Sequence, residues 1–500
     1  MNVDIDWISR SRKVIPRVRD FIDGSHQPRA AGTSLEKYSP RDGQLLYEFA
    51  AADARVIDQA VTSARRAFED GRWSALPMQR RKDILQRLAS LLEKHHEELA
   101  LLECMDVGKP ISDTLQVDVP ASAAAIRYSA EAADKLSGKV YSADRAGLSY
   151  QLYRPVGVVA SIVGWNFPLA LAAGKIGPAL ATGNCLVLKP SEVTSLSAAR
   201  VAELAMEAGV PGGVLNVIHG GAEVGNSLAH HRDVDMVSFT GSTVTGKKLL
   251  IASGQSNMKR LVLECGGKAP NIVFDDCPDI EAAVEAVVAR AFWNQGQVCT
   301  ASSRLLLHHS LKDDFLRILI GKSAQIRLED PLSPHAKYGA VVSRSHQQKI
   351  LAYIRQGTDD GTALFCQSPS QAPFDGGFYV QPTIFDNVSP RQKIAQEEIF
   401  GPVLSILCFR TEEEAIRIAN STIYGLSAIV WTKDFGRAHR VCQGINAGWI
   451  TVNTTGKPQE GGPVDGAMSV GGIKESGFGF EGGLDGLAAY TNQTAVQLMV

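Results

Sequence analysis

The eight cysteines of this chain, Cys104, Cys185, Cys265, Cys277, Cys299, Cys366, Cys408 and Cys442, do not share one environment. Most have apolar neighbours, as in Asn184-Cys185-Leu186-Val187-Leu188, which suits reduced core thiols, and no CxxC pair points to zinc or a disulfide. Cys299 instead ends the polar, glycine-containing stretch Asn294-Gln295-Gly296-Gln297-Val298-Cys299. A nucleophilic thiol needs thiolate character and access, and a loop supplies access. A purely structural loop cysteine is the alternative. Glu264, in Leu263-Glu264-Cys265-Gly266-Gly267-Lys268, ends an apolar run, where burial would lift its pKa toward that of a general base; a salt-bridged strand end is the other reading. Asn166, in Gly164-Trp165-Asn166-Phe167-Pro168, could offer its amide to an oxyanion or merely stand at a capped helix start.

Two further stretches suit a nucleotide. Phe239-Thr240-Gly241-Ser242-Thr243 falls where a strand should pass into a helix, so free N–H groups and the helix dipole would favour a pyrophosphate. A simple N-cap at Ser242 explains the same residues. Leu188-Lys189-Pro190-Ser191-Glu192 also ends a predicted strand: Lys189 and Glu192 could bind ribose hydroxyls, the carboxylate disfavouring a 2′-phosphate, or be solvated at a helix start. The first half holds no GxGxxG, so an ordinary Rossmann fingerprint is absent.

The elements that must position these residues follow from the apolar pattern. Short runs at 156–163, 185–189, 214–218, 234–239 and 260–264 alternate with predicted helices at 168–182, 195–208, 222–229 and 242–253. Strands apolar on both faces and joined by helices predict a doubly wound parallel sheet, with ligand at the carboxyl ends of its strands. A second series runs through strands at 271–274, 303–307, 404–409 and 426–431 and helices at 279–292, 311–323 and 344–356. Ahead of both, helices are expected at 56–68, 79–105 and 121–136, and a hairpin over 138–153 turning at Asp144-Arg145-Ala146-Gly147. The glycine-rich stretch 456–486 reads as a loop that wraps a site or an interface.

Composition bounds the rest. Five hundred residues suggest about three domains. Lysine plus arginine (51) nearly balance aspartate plus glutamate (53), so no global field favours nucleic acid or a membrane surface. The most apolar region, 156–188, is broken by Asn166, Pro168, Lys175, Pro178 and Asn184, and the N-terminus has no signal-peptide core; a cytoplasmic location is the expectation.

Taken in order, the segments WNFP, KPSE, FTGST, LECGGK, NQGQVC and EEIFGPV resemble those of the NAD(P)-dependent aldehyde dehydrogenase superfamily, and the match runs from about residue 20 to the C-terminus. The resemblance implies an α/β fold with an atypical Rossmann cofactor domain, an α/β catalytic domain and a small β oligomerisation element. It implies that Cys299 is the nucleophile, Glu264 the general base and Asn166 the oxyanion donor, with no metal. It also implies NAD, with NADP the alternative, held by Trp165, Lys189, Ser191, Glu192, Gly225, Phe239, Gly241, Ser242, Glu398 and Phe400. Phe167, Asp118, Val298 and Thr300 would contact the aldehyde.

Leu101 to Pro110, Asp118-Val119-Pro120 and Ser256 to Arg260 are most similar to the bacterial γ-glutamyl-γ-aminobutyraldehyde dehydrogenases of polyamine breakdown, for which Asp118 near the entrance would attract an amine; a solvated helix-start acid is the equal alternative. A broad-specificity aldehyde dehydrogenase, a coenzyme A-acylating relative and a non-catalytic binding protein are the alternatives. Gly164, Ser469-Val470, Phe480 and the stretch 454–468 depart from the family pattern and bear on substrate identity. The implied division is 1–126 with 148–264 for the cofactor, 265–477 for catalysis, and 127–147 with 478–500 for oligomerisation. The apolar C-terminal strand 494–500 needs a partner edge, expected from a second subunit of a homodimer or homotetramer.

Overall fold

A computed structural model describes residues 5–141, 147–367, 370–454 and 467–499. Its first half is built on an eight-stranded sheet. The five central strands, Leu215–Val217, Cys185–Lys189, Val158–Ile162, Met236–Thr240 and Arg260–Glu264, lie in that spatial order and are all parallel. The chain enters at Val158–Ile162, builds outward on one side, then crosses back to build the other, so the order reverses at this strand. That reversal opens a crevice at the carboxyl ends. Helices Pro168–Ala181, Leu196–Ala208, Ala222–His230 and Thr243–Gln255 make the connections, each within two residues of the predicted bounds.

The second half carries a seven-stranded sheet, ordered Ala363–Gln367, Thr383–Asp386, Val403–Phe409, Arg304–His308, Pro270–Val273, Ser427–Trp431 and Trp449–Val452, parallel except at the first strand. Alternate residues face two separate cores. Ile272, Leu306 and Leu407 pack on one face; Val273, Leu305, Leu307 and Ile406 pack on the other. Side chains of a strand alternate between faces, so a sheet covered on both sides reads as a continuous apolar run.

Several expectations are corrected. The helix predicted over 79–105 is two, Met78–Lys94 and His96–Val107, broken at His95 (φ −96°, ψ 23°). The second must aim two buried acids: Glu103 accepts from Leu169 N, and Asp106 accepts from Tyr47 OH and Leu196 N. The hairpin over 138–153 reduces to a bridge between Val140 and Tyr150; its turn residues 144–146 lie outside the described residues. The long strand Gly147–Pro155 pairs instead with Thr491–Met499 along its whole length. The C-terminal strand thus finds one partner edge in its own chain.

The glycine-rich stretch is not simply a loop. Strands Ile473–Lys474 and Gly477–Phe478 and helix Gly483–Ala489 lie within it, and Gly477–Phe478 closes the eight-stranded sheet against Leu263–Glu264; residues 455–466 lie outside the described ones. Gly477 has φ 112° and a Cβ there would meet Leu263 O at 1.9 Å, so only glycine permits this pairing. Among the described residues no helix is long and apolar enough to cross a membrane, and no group of three His, Cys, Asp or Glu could hold a metal ion.

Candidate active site

The crevice at the topological reversal is a cleft of about 450 Å³. Its wall includes Trp165, Asn166, Phe167, Lys189, Ser191, Glu192, Gly225, Phe239, Gly241, Ser242, Cys299, Glu398 and Phe400. Residues from five separate strand ends and loops, scattered over more than two hundred positions, therefore meet. At one end Ser242 Oγ accepts from Thr245 N at 3.3 Å and caps helix Thr243–Gln255, whose N-terminus faces the cleft. The N-cap and nucleotide readings of this motif are thus compatible. Gly241 must be small: a Cβ would lie 2.5 Å from the Phe239 ring. Lys189 is buried rather than solvated, and its Nζ donates to Pro190 O at 2.9 Å and lies 3.7 Å from the Glu192 carboxylate.

At the other end stands the cysteine loop. Asp279 caps helix Ile280–Phe292 by accepting from Ala282 N at 3.0 Å, and the chain then turns through Asn294, Gln295 and Gly296 with φ of 48°, 56° and 71°. Left-handed non-glycine residues are costly and persist only where neighbours hold them. Here Asn294 Nδ2 donates to Asn166 O at 3.1 Å, Gln297 Nε2 donates to Asn294 O at 3.1 Å, and Gln297 Oε1 accepts from Val342 N at 2.9 Å. Asn166 Nδ2 donates to Gln297 O at 3.0 Å, joining the first strand's exit to the cysteine loop.

Burial pushes the Cys299 thiol up to about 12, with the Glu398 and Glu264 carboxylates adding to the rise. Glu264 is itself pushed up to about 7 by burial, against the pull of Lys175, and its Oε1 has no hydrogen-bond partner. Lys175 is buried and paired with Glu481, a contact between distant segments that no local motif announces. Glu264 stands just behind the wall, which its neighbours Cys265 and Gly266 complete. The two glycines that follow allow close approach. A Cβ at Gly266 would lie 2.4 Å from Glu398 Oε2, and one at Gly267 would lie 2.2 Å from Cys299 O. Gly267 N donates to Glu398 Oε1 at 2.8 Å, and burial raises the Glu398 carboxyl to about 7.

Phe167 packs on Trp293 at 5.3 Å and carries Lys109 Nζ 3.8 Å from its ring centroid; Trp293 Nε1 donates to Asp113 Oδ2 at 3.0 Å. Asp118 is a correction: it is neither an entrance acid nor a solvated one, but fully buried and paired with Lys109 at 2.7 Å. The lysine it holds is drawn onto Phe167, so Asp118 acts on the wall from behind. Val298 and Thr300 flank Cys299 and are partly exposed, outside the cleft wall. Sequence reasoning missed His346, whose ring lies 5.0 Å from Trp165 and whose Nε2 meets Phe400 O at 2.7 Å. It follows the capping Ser343, an ordinary helix-start signal that gives no hint of the cleft.

A doubly wound sheet with a cleft at its reversal, a thiol at one end and a helix N-terminus at the other, is the architecture of a nucleotide-binding α/β protein. The sequence model of the aldehyde dehydrogenase family matches residues 27–496, and the chain belongs to that family. It is 44% identical over 493 residues to the NADP/NAD-dependent aldehyde dehydrogenase PuuC of Escherichia coli (strain K12), covering 97% of this chain and 96% of that one. Among solved structures it resembles an indole-3-acetaldehyde dehydrogenase complexed with NAD+ (47% identity, TM-score 0.96, 99% of each chain). It also resembles a γ-glutamyl-γ-aminobutyraldehyde dehydrogenase from Burkholderia cenocepacia J2315 (44% identity, TM-score 0.95, 99% of each chain).

Proposed function

We propose that this enzyme oxidises an aldehyde to a carboxylic acid with NAD, using Cys299 as nucleophile, Asn166 as oxyanion donor and Glu264 as base. The observation that carries this reading is the meeting of Cys299 and Asn166 in one cleft with Glu264 directly behind its wall. The cleft suits a dinucleotide: a capped helix N-terminus for the pyrophosphate, a buried lysine beside Glu192 for one ribose, and Glu398 near the thiol for the other.

Burial keeps the Cys299 thiol protonated at rest, so it first gives its proton to Glu264, which passes it to solvent; the thiolate then adds to the aldehyde carbon, and the carbonyl oxygen becomes the oxyanion of a thiohemiacetal. Asn166 has two amide N–H donors; one holds Gln297 O, and the other is available to the oxyanion together with the Cys299 backbone N–H. Lys189, Glu192, Ser242 and Glu398 of the cleft would hold NAD, which would supply the hydride acceptor needed to convert the adduct to a thioester on Cys299. Glu264 then takes a proton from water, the hydroxide adds to the thioester carbon, and the thiolate leaves. The presence of a general base at this position favours transfer to water over transfer to coenzyme A.

The same reading makes the substrate an aldehyde of amine breakdown, as the name of the Burkholderia relative suggests. It makes NAD preferred over NADP, because Glu192 would repel a 2′-phosphate. It places the protein in the cytoplasm as a homodimer or homotetramer, supported by a C-terminal strand paired along one edge only among the described residues. The two sheets support a cofactor unit of 1–126 with 148–264, a catalytic unit of 265–477 and a bridge of 127–147 with 478–500. The test is Cys299→Ala: NADH formation from any aldehyde should vanish while NAD binding persists. Turnover retained in that variant, or an acyl-coenzyme A product when coenzyme A is supplied, would overturn the reading.

A further inference from the structure

A second cavity, of about 620 Å³, adjoins the cleft through the Phe167–Trp293 ring pair: Phe167 lines the cleft and Trp293 lines the cavity. Its wall carries four cations, Arg290, Lys322, Arg327 and Lys337, against two acids, Asp113 and Glu329. Both acids are engaged. Asp113 accepts from Trp293 Nε1 and is pushed up to about 7 by burial, and Glu329 accepts from Lys337 N at 2.9 Å. Lys322 and Arg327 are engaged too, the first with Glu285 at 2.8 Å and the second with the Ala324 and Ile326 carbonyls.

Arg290 differs. Among the described residues it donates no hydrogen bond and meets no carboxylate; its Nε is wholly buried and unpartnered, and its guanidinium carbon stands 5.5 Å from the Trp449 ring centroid. It lies on the last turn of the helix that leads to the cysteine loop, and its carbonyl accepts from Ser302 N at 3.2 Å, stapling that turn to the segment just past Cys299. Charged groups withdrawn from water are normally paired, and a planar guanidinium is matched best by a planar carboxylate bound through two N–H groups. The cavity therefore presents, beside the cysteine loop, a guanidinium with no carboxylate partner among the described residues. A cationic substrate end would meet four like charges and two acids that already hold donors.

We propose that Arg290 and this cavity form a subsite for a carboxylate carried at the end of the substrate remote from the aldehyde. The inference deepens the reading of Cys299 as nucleophile and rests on it. The substrate class is then an oxo acid, free or extended through an amide, and the product bears two carboxylates.

The test compares kcat/KM for 5-oxopentanoate and pentanal, which differ only in the terminal group, using the full chain with NAD. The intact enzyme should favour 5-oxopentanoate by tenfold or more. Arg290→Gln should lower that ratio at least tenfold, chiefly through KM, and Arg290→Lys should keep part of it and guards against misfolding of the first variant. Equal use of the two aldehydes by the intact enzyme, or an unchanged ratio in Arg290→Gln, would overturn the subsite while leaving the nucleophile assignment standing. Glutarate binding, followed by tryptophan fluorescence in Cys299→Ala with and without Arg290→Gln, reads the subsite without turnover. Arginine-dependent quenching supports the subsite, and quenching that is absent or unchanged by Arg290→Gln overturns it, as either negative kinetic result does.

Discussion

Replacing Gly267 with alanine would add one methyl group where the backbone leaves no room. The new Cβ would stand 2.2 Å from the Cys299 carbonyl oxygen, and ordinary contact begins at 3.4 Å, so roughly 1.2 Å of separation must be found. Gly267 has little freedom to retreat. Its N–H donates to Glu398 at 2.8 Å, and the next carbonyl, of Lys268, accepts from the buried Arg304 at 3.0 Å. At least half of the shift should therefore fall on the cysteine loop. Misplacing a reacting group by 1 Å costs on the order of a hundredfold in rate, so a shift of about half to one ångström predicts a loss of about tenfold to a hundredfold. That is about 1.4 to 2.7 kcal/mol of activation free energy. Rapid-mixing measurement of the first NADH turnover isolates this step, and NAD affinity, measured separately, should move little. A control is Gly321→Ala, in helix Lys312–Ser323, where a Cβ meets nothing within 4 Å; it should leave turnover intact and raise stability by up to about 1 kcal/mol. Gly267→Ala with a first turnover within threefold of the intact enzyme would refute the argument that this contact sets the thiol's position.

Three other outcomes follow from the site. Asn166→Ala should lower kcat by about a hundredfold to a thousandfold, as loss of one oxyanion donor does, and by more than its effect on KM. Glu264 is a base only when unprotonated, and its pKa stands near 7, so deacylation should rise with pH through about 7; Glu264→Gln should flatten that limb in a pH–rate profile. Lys109→Met strands the Asp118 carboxylate and should cost about 3–5 kcal/mol in denaturant unfolding. Burial already raises the Asp118 carboxyl and the loss of Lys109 raises it further, so the folded state binds the proton more tightly than the unfolded one. The stability deficit should therefore grow as pH rises above the ordinary carboxylate range and shrink in acid.

Much of the eight-stranded half was legible because its central strands are apolar on both faces. Cys185–Lys189 and Arg260–Glu264 coincide with the sequence reading residue for residue, since a buried parallel strand has sharp polar borders. The shortest strands escaped it: Phe21–Ile22 and Gly477–Phe478 are two residues each, too short for any period to register. Cys299, Asn166, Lys189, Glu192, Gly241 and Ser242 stood out by their own local chemistry at strand ends, helix starts or a loop, whereas Trp165, Gly225, Glu398 and Phe400 came from the family resemblance alone. What supports them was not legible. Lys175 meets Glu481 across 306 positions, and Arg290 is one of three charged residues on its helix, with Glu281 and Glu285, and has no local motif of its own. Asp118 misled for a related reason, because an acid before a proline looks like a helix-start acid until its buried lysine partner is seen.

The ribbon of Gly147–Pro155 and Thr491–Met499 joins residues such as Gln151 and Gln493, which lie 342 positions apart and hydrogen-bond at 2.7 Å. During synthesis the first of these strands must wait for the second. At about 5–20 residues per second the interval is roughly 20 to 70 s, during which its edge is unpaired. Both large sheets can be nearly assembled in that time, and the strand Thr491–Met499 then ties the late part of the fold back to the segment 147–155 made long before it.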